Sequence, residues 1–161
     1  MHKAAQMIIN NLDGHIPTSV EELMKLPGIG RSTAGAIVSL SLDKKAVILD
    51  ANVKKILIRF HGIKSALNEK GIEKKLWKLA GQSLPDKEFR SYNQGLMDLG
   101  ATICFKSTPK CEICPLHSSC RARIEDITEI IPKKIKSKPP KKVLLRLTVF
   151  LNQKNQMLLI K

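Results

Sequence analysis

An all-α fold is predicted by three observations. Apolar residues recur at helical spacing along most of the first 130 residues, and Gly, Pro and hydroxyl residues of the kind that start and stop helices separate these runs. Strand-like patterning is confined to the region after Lys142. The length, 161 residues, suits one ordinary domain with a fragment of a second.

The elements follow in order. Thr18-Ser19-Val20-Glu21 has the form of a capping box, opening a short helix to about Leu26 that Pro27 and Gly28 stop. A second helix fits Ser32 to about Leu42, where small residues permit close packing. Val53, Ile56, Leu57 and Phe60 share one helix face, with Gly62 placed as its C-terminal cap. Ile72, Leu76, Leu79 and Ala80 repeat that spacing, and Phe89, Leu96, Leu99 and Ile103 repeat it more loosely. Beyond residue 142, residues 143–151, 152–155 and 156–160 suggest strand, turn and strand, a partial β-hairpin. Two strands make no stable unit in water. Three regions are therefore expected: a helical domain over 1–130, a basic linker over 131–142, and the start of a β-containing domain over 143–161.

The 43% hydrophobic content is sufficient for a packed core and argues against wholesale disorder. No apolar run reaches the roughly 18 residues of a membrane span, and residues 1–6 do not resemble a signal peptide. A cytoplasmic protein is expected, with no membrane partner. The formal charge is +14, and nine of the basic residues with no acid lie from Lys133 onward, leaving +5 for the rest. A net-basic globular part joined to a basic strap suits a polyanion. Charge alone leaves DNA, RNA, an acidic membrane and a merely solvated linker open.

Cys104, Cys111, Cys114 and Cys120 form C-x6-C-x2-C-x5-C. Without an export signal, metal ligation or free thiols are favoured over disulfides. Structural zinc prefers paired close-spaced knuckles, and only one pair here is that close. A 4Fe-4S cluster held by a single loop tolerates the wider spacing and is expected ahead of zinc. Lys106, Lys110, Arg121 and Arg123 surround the cysteines and offset thiolate charge.

Leu26-Pro27-Gly28-Ile29-Gly30-Arg31-Ser32-Thr33-Ala34-Gly35 matches the helix-hairpin-helix element L-P-G-[VI]-G. Its two glycines permit a tight turn whose backbone N–H groups point outward at a helix N-terminus, where they can hold a phosphate without reading a base. Pro27, Gly28, Ile29, Gly30, Arg31 and Thr33 are the candidate DNA contacts. Downstream, Val47-Ile48-Leu49-Asp50-Ala51-Asn52-Val53 places an aspartate ahead of a helix. Such an aspartate is most often an N-cap.

The order hairpin, aspartate, cysteine loop resembles the layout of the endonuclease III superfamily of DNA glycosylases over residues 1 to about 130. The endonuclease III branch itself, which attacks oxidised pyrimidines, carries a lysine where this chain has Ser32. Leu26 to Ile37, Leu49-Asp50-Ala51-Asn52-Val53, and Tyr92-Asn93-Gln94-Gly95-Leu96-Met97-Asp98-Leu99-Gly100-Ala101 are similar to the MutY branch. That resemblance implies excision of adenine from double-stranded DNA at A:8-oxoguanine or A:G mispairs, with the base flipped out of the stack. It implies Asp50 as the catalytic carboxylate opposing an oxocarbenium-like sugar, Asn52 and Ser32 beside it, and Lys54 near a phosphate or the abasic product. The family also implies a 4Fe-4S cluster on the four cysteines and a NUDIX-like C-terminal domain. A monomer is expected.

Three departures stand out. Ala51 replaces the family's glycine. The β-containing part stops at Lys161, which puts 8-oxoguanine preference in question. The N-terminal segment carrying the family's general-acid glutamate has no match here, and Glu21, Glu22, Glu69 and Glu73 offer no substitute. A chain with little activity unless that segment is supplied is the expectation. The alternatives are a non-catalytic iron–sulfur DNA-binding module and an endonuclease III-like glycosylase of different base specificity.

Overall fold

The computed structural model describes residues 1–133, 144, 149–151, 153–154 and 156–157. Among the described residues seven α-helices run in order: α1 His2–Asn11, α2 Val20–Leu23, α3 Arg31–Ala36, α4 Ala51–Phe60, α5 Ile72–Gln82, α6 Phe89–Thr102 and α7 Arg121–Ile124. No strand forms among the described residues, and the expected hairpin over 143–161 is not seen beyond one antiparallel bridge, Leu151 to Met157. Most of that segment, and residues 134–142 of the linker, lie outside the described residues.

The sequence misplaces the first cap by one residue. Ser19 is the N-cap of α2: its Oγ accepts from the Glu22 N–H at 3.3 Å and donates to the Glu22 carboxylate at 2.8 Å. Thr18–Glu21 and Ser19–Glu22 have the same chemistry and spacing. The later register turns Leu23 and Leu26 inward, and both are buried. α2 also ends short of Leu26, because i→i+3 bonds from the N–H groups of Lys25 and Leu26 tighten the chain before Pro27.

The helix expected from Ser32 to Leu42 begins as α3 and widens into a π-helical turn over Ile37–Ser41. Ser39, in this turn, is fully buried; its hydroxyl donates to the Phe89 carbonyl at 3.3 Å and accepts from Asn93 Nδ2 at 2.7 Å. Asn93 donates also to the Ala46 carbonyl at 3.1 Å. The buried amide therefore ties α6 to two other segments, and both its N–H donors are satisfied. α4 ends as expected at Gly62, which adopts φ +62. The Gly62 N–H reaches the Arg59 carbonyl and the Ile63 N–H reaches that of Ile58, the paired bonds of a Schellman cap.

The described chain buries two apolar cores. One gathers Leu49, Val53, Leu57, Ile58, Leu76 and Ala122, from α4, α5, α7 and the segment entering α4. The other gathers Ala4, Leu23, Leu26, Ala34, Val38 and Ala46, from α1 to α3. The extended run 46–50 crosses between them, with Ala46 in one core and Leu49 in the other. Among the described residues no helix is long and apolar enough to cross a membrane.

His61, at the end of α4, has its Nε2 enclosed without a partner. Burial, then the charges of Arg121 and Lys75, hold its pKa below the ordinary 6.5. A depressed histidine pKa means that the unfolded chain binds the extra proton more readily. Stability is therefore full above the unfolded value and lost as pH falls through it towards the folded value. The thermal midpoint should drop between about pH 7.5 and pH 5.5, and less steeply in His61→Gln; parallel pH profiles would refute this role.

Candidate active site and cysteine centre

The hairpin is a type II turn. Its Ile29 N–H bonds the Leu26 carbonyl at 3.1 Å, Pro27 takes the second position, and Gly28 takes the third with φ +83. Only Gly28 needs glycine's freedom here. Gly30 is the N-cap of α3 with φ −87, and a Cβ there would meet nothing within 4 Å. Gly30 supplies no side-chain cap, so the first-turn N–H groups of α3 remain available outward. Arg31 and Thr33 are exposed beside them, while Ser32 turns inward to half-burial.

Ser32 Oγ accepts the Leu49 N–H at 3.1 Å, tying the hairpin helix to the crossing segment one residue before Asp50. Asp50 is the N-cap of α4: Oδ1 accepts the Val53 N–H at 2.7 Å. Its second oxygen has no hydrogen-bond partner among the described residues. Ala51 starts the helix without positive φ, so the exchange of glycine for alanine is accommodated in this backbone. Asn52 packs against α6, where a Cβ on Gly100 would overlap its side chain. Lys55 Nζ donates to Asn52 Oδ1 at 3.3 Å and to the Gly100 carbonyl at 2.6 Å. Burial lowers the Lys55 pKa, the Cys104 thiol opposes that shift, Arg59 adds to it, and Asp50 opposes it. Lys54 is engaged by Glu73 of α5 at 3.0 Å.

All four cysteines are half-buried free thiols lining one cavity together with Arg59, Lys110, His117 and Arg123. Burial raises the Cys111 thiol pKa, and repulsion from Cys120, Cys104 and Cys114 adds to it. Cys114 is raised by burial too, partly relieved by the Leu116 N–H. Among the described residues no group of three His, Cys, Asp or Glu side chains is arranged to hold a single metal ion. Arg59, only 2% exposed, is the hub of this region. Its guanidinium donates to the carbonyls of Ile131 (3.0 Å), Lys106 (2.9 Å), Thr128 (2.7 Å) and Phe105, and to Cys104 Sγ at 3.3 Å.

Residues 11–40 match the family model described as helix-hairpin-helix motif. An adenine DNA glycosylase of Buchnera aphidicola subsp. Acyrthosiphon pisum (strain APS) is 48% identical over 144 residues, covering 89% of this chain and 41% of its own length. The adenine DNA glycosylase of Homo sapiens is 37% identical over 124 residues, 76% of this chain and 23% of its own. The chain belongs to the MutY family. It spans less than half the length of these relatives. Among solved structures, a thermostable thymine-DNA glycosylase superposes with a TM-score of 0.69 at 34% identity, over 76% of this chain and 56% of that one. A non-covalent endonuclease III–DNA complex gives 0.61 at 28%, over 78% and 56%.

Against that family background, the structure brings Ser32, Asp50 and Asn52 to one end of α4 and the four cysteines round one cavity about its other end. Asp50 turns out to be the N-cap that its position suggests, and this does not compete with a chemical role, since only one oxygen is used. Lys54, expected near a phosphate or the abasic product, is paired in this structure with Glu73. Sequence reasoning missed Lys55, Arg59 and Asn93. Arg59 had a signal, a cation three residues after Ile56 in a strongly apolar helix. Asn93 and the Gly100 carbonyl that Lys55 reaches find their partners far along the chain, which left no local trace.

Proposed function

We propose that this chain is the DNA-gripping and carboxylate-bearing part of a base-excision DNA glycosylase, one that removes adenine from double-stranded DNA mispaired with 8-oxoguanine or guanine. The observation that carries the reading is Asp50. Its carboxylate sits at the helix N-terminus beside the DNA-binding hairpin, anchored through one oxygen with the other uncommitted. Adenine departure leaves positive charge on the sugar. A fixed carboxylate opposes that charge without having to reorganise, and transient bonding to the sugar is open to the free oxygen. The Val53 N–H sets its direction, and Ser32 holds the preceding backbone through Leu49. Asn52, held by Lys55, packs between Asp50 and α6. Pro27, Gly28, Ile29, Gly30, Arg31 and Thr33 form the phosphate-facing surface of the hairpin, and Lys54 becomes a phosphate ligand if DNA displaces Glu73.

Cys104, Cys111, Cys114 and Cys120 fit a 4Fe-4S cluster. Four soft donors lining one cavity within a single loop of wide spacing, with a buried cation against one sulfur, suit a polynuclear group better than one zinc ion. Cys104, Cys111, Cys114 and Cys120 would hold such a cluster as thiolates, and the shared ligation would offset part of their mutual repulsion and cross-link residues 104–120. Residues 1–130 are then the glycosylase part, 131–142 a linker, and 143–161 the start of a NUDIX-like domain, all working in the cytoplasm. Protonation of adenine is assigned to no residue of this chain.

The test is single-turnover adenine release from a duplex carrying A opposite 8-oxoguanine. Asp50→Asn keeps a good N-cap, so fold and duplex binding should persist. Release should fall about 10²–10³-fold, the scale of losing one preorganised charge-stabilising group. Release that is unchanged by the substitution removes Asp50 from the chemistry. Duplex binding with no release by the natural chain supports the DNA-binding module in its place.

A further inference from the structure

The Arg31 guanidinium carbon lies 4.0 Å from the centre of the Trp77 ring. The two residues belong to helices that pack into different cores. Arg31 opens α3, directly after the hairpin, and its helix packs into the α1–α3 core. Trp77 sits on α5 and is partly buried against the other core. We propose that Trp77 is a positioning residue for the DNA grip: its indole face lays the Arg31 guanidinium out so that the in-plane N–H donors are presented to a DNA phosphate.

This rests on the DNA-binding reading above and adds a residue to it. A guanidinium stacked flat on a ring loses none of its edge donors, since stacking uses the face and phosphate recognition uses the edge. Holding it there removes side-chain freedom that binding would otherwise have to remove. Among the described residues no carboxylate pairs with Arg31, so the donors are not already taken. Trp77 also lies one helical turn beyond Glu73 on the same face of α5, and Glu73 holds Lys54. One face of α5 thus fixes two cations, Lys54 of α4 by charge and Arg31 of α3 by its π-face.

Trp77 is the sole tryptophan, so its fluorescence reports the stack directly. In the full chain without DNA, Arg31→Met should change the emission. Affinity for a short duplex is then measured over a range of salt for the natural chain, Trp77→Leu, Trp77→Phe, Arg31→Met and the double variant Arg31→Met/Trp77→Leu. Trp77→Leu should weaken binding about two- to fivefold with an unchanged salt slope, because no charge is lost. Trp77→Phe, which keeps a ring face, should recover most of that loss. Arg31→Met should reduce the slope by about one, and the double variant should bind no more weakly than Arg31→Met alone. Unaltered binding by Trp77→Leu overturns the proposal, as do losses that add in the double variant or a Trp77→Phe no better than leucine. A natural chain that fails to bind the duplex overturns the DNA reading itself, whereas natural binding with additive losses overturns only the role of Trp77.

Discussion

Arg59→Met should unfold the cysteine region, lowering stability by about 3–5 kcal/mol, the scale of leaving several buried carbonyls unpaired. The size follows from what the side chain holds. Arg59 is 2% exposed, and no carboxylate balances its guanidinium among the described residues. Its charge is offset by four backbone carbonyls and the Cys104 sulfur. Those acceptors come from two separated stretches, Cys104 to Lys106 and Thr128 to Ile131, so one side chain closes the loop containing all four cysteines. Methionine matches the length and apolar stem but donates nothing, and each carbonyl left unpaired costs about 1–3 kcal/mol unless water replaces the lost donor. Lysine is no rescue, because one ammonium cannot reproduce the planar fork that reaches both stretches. Denaturant unfolding measures the stability loss, and iron and sulfide analysis measures whether the cysteines still retain a cluster. A variant within 1 kcal/mol of the natural chain (roughly the cost of one surface hydrogen bond) would show the hub to be dispensable.

The same side chain marks where sequence reading ends. The cysteine loop, the hairpin turn and the Gly62 cap depend on residues within a few positions of one another, so spacing alone exposes them. Asp50 is legible for the same reason, as an N-cap three residues before the N–H it accepts. Arg59 is different: its carbonyl partners lie far along the chain, and backbone carbonyls have no residue identity to read. Asn93 and Ser39 are equally ordinary in sequence, and only their juxtaposition makes the pair a buried tie between α6 and the π-helical turn. The slip from Thr18–Glu21 to Ser19–Glu22 has another cause. Two adjacent pairs satisfy the same local rule, and the burial of Leu23 and Leu26 selects between them.

Gly35→Ala should be among the most disruptive of small substitutions, at about 3 kcal/mol, the upper part of the range for overpacking. A Cβ on Gly35 would overlap the Val47 carbonyl group, and the neighbour is backbone, so no rotamer change relieves it. Relief requires α3 to move away from the crossing segment. That movement pulls directly on the Ser32–Leu49 bond two residues further along, and with it on Asp50. If the chain acts as proposed, loss of stability and loss of adenine release should therefore appear together, while the outward face of the hairpin, which lies ahead of the displaced contact, keeps duplex binding. Gly95→Ala is the matched control. Gly95 sits inside α6 with ordinary backbone angles and open space around the position of a Cβ. Alanine there should stabilise by about 0.5–1 kcal/mol through helix propensity alone. If Gly35→Ala melts with the natural chain, the close approach of α3 to residue 47 is not what fixes the carboxylate. If it melts early but releases adenine normally, Asp50 takes its position from the α4 cap and not from the hairpin.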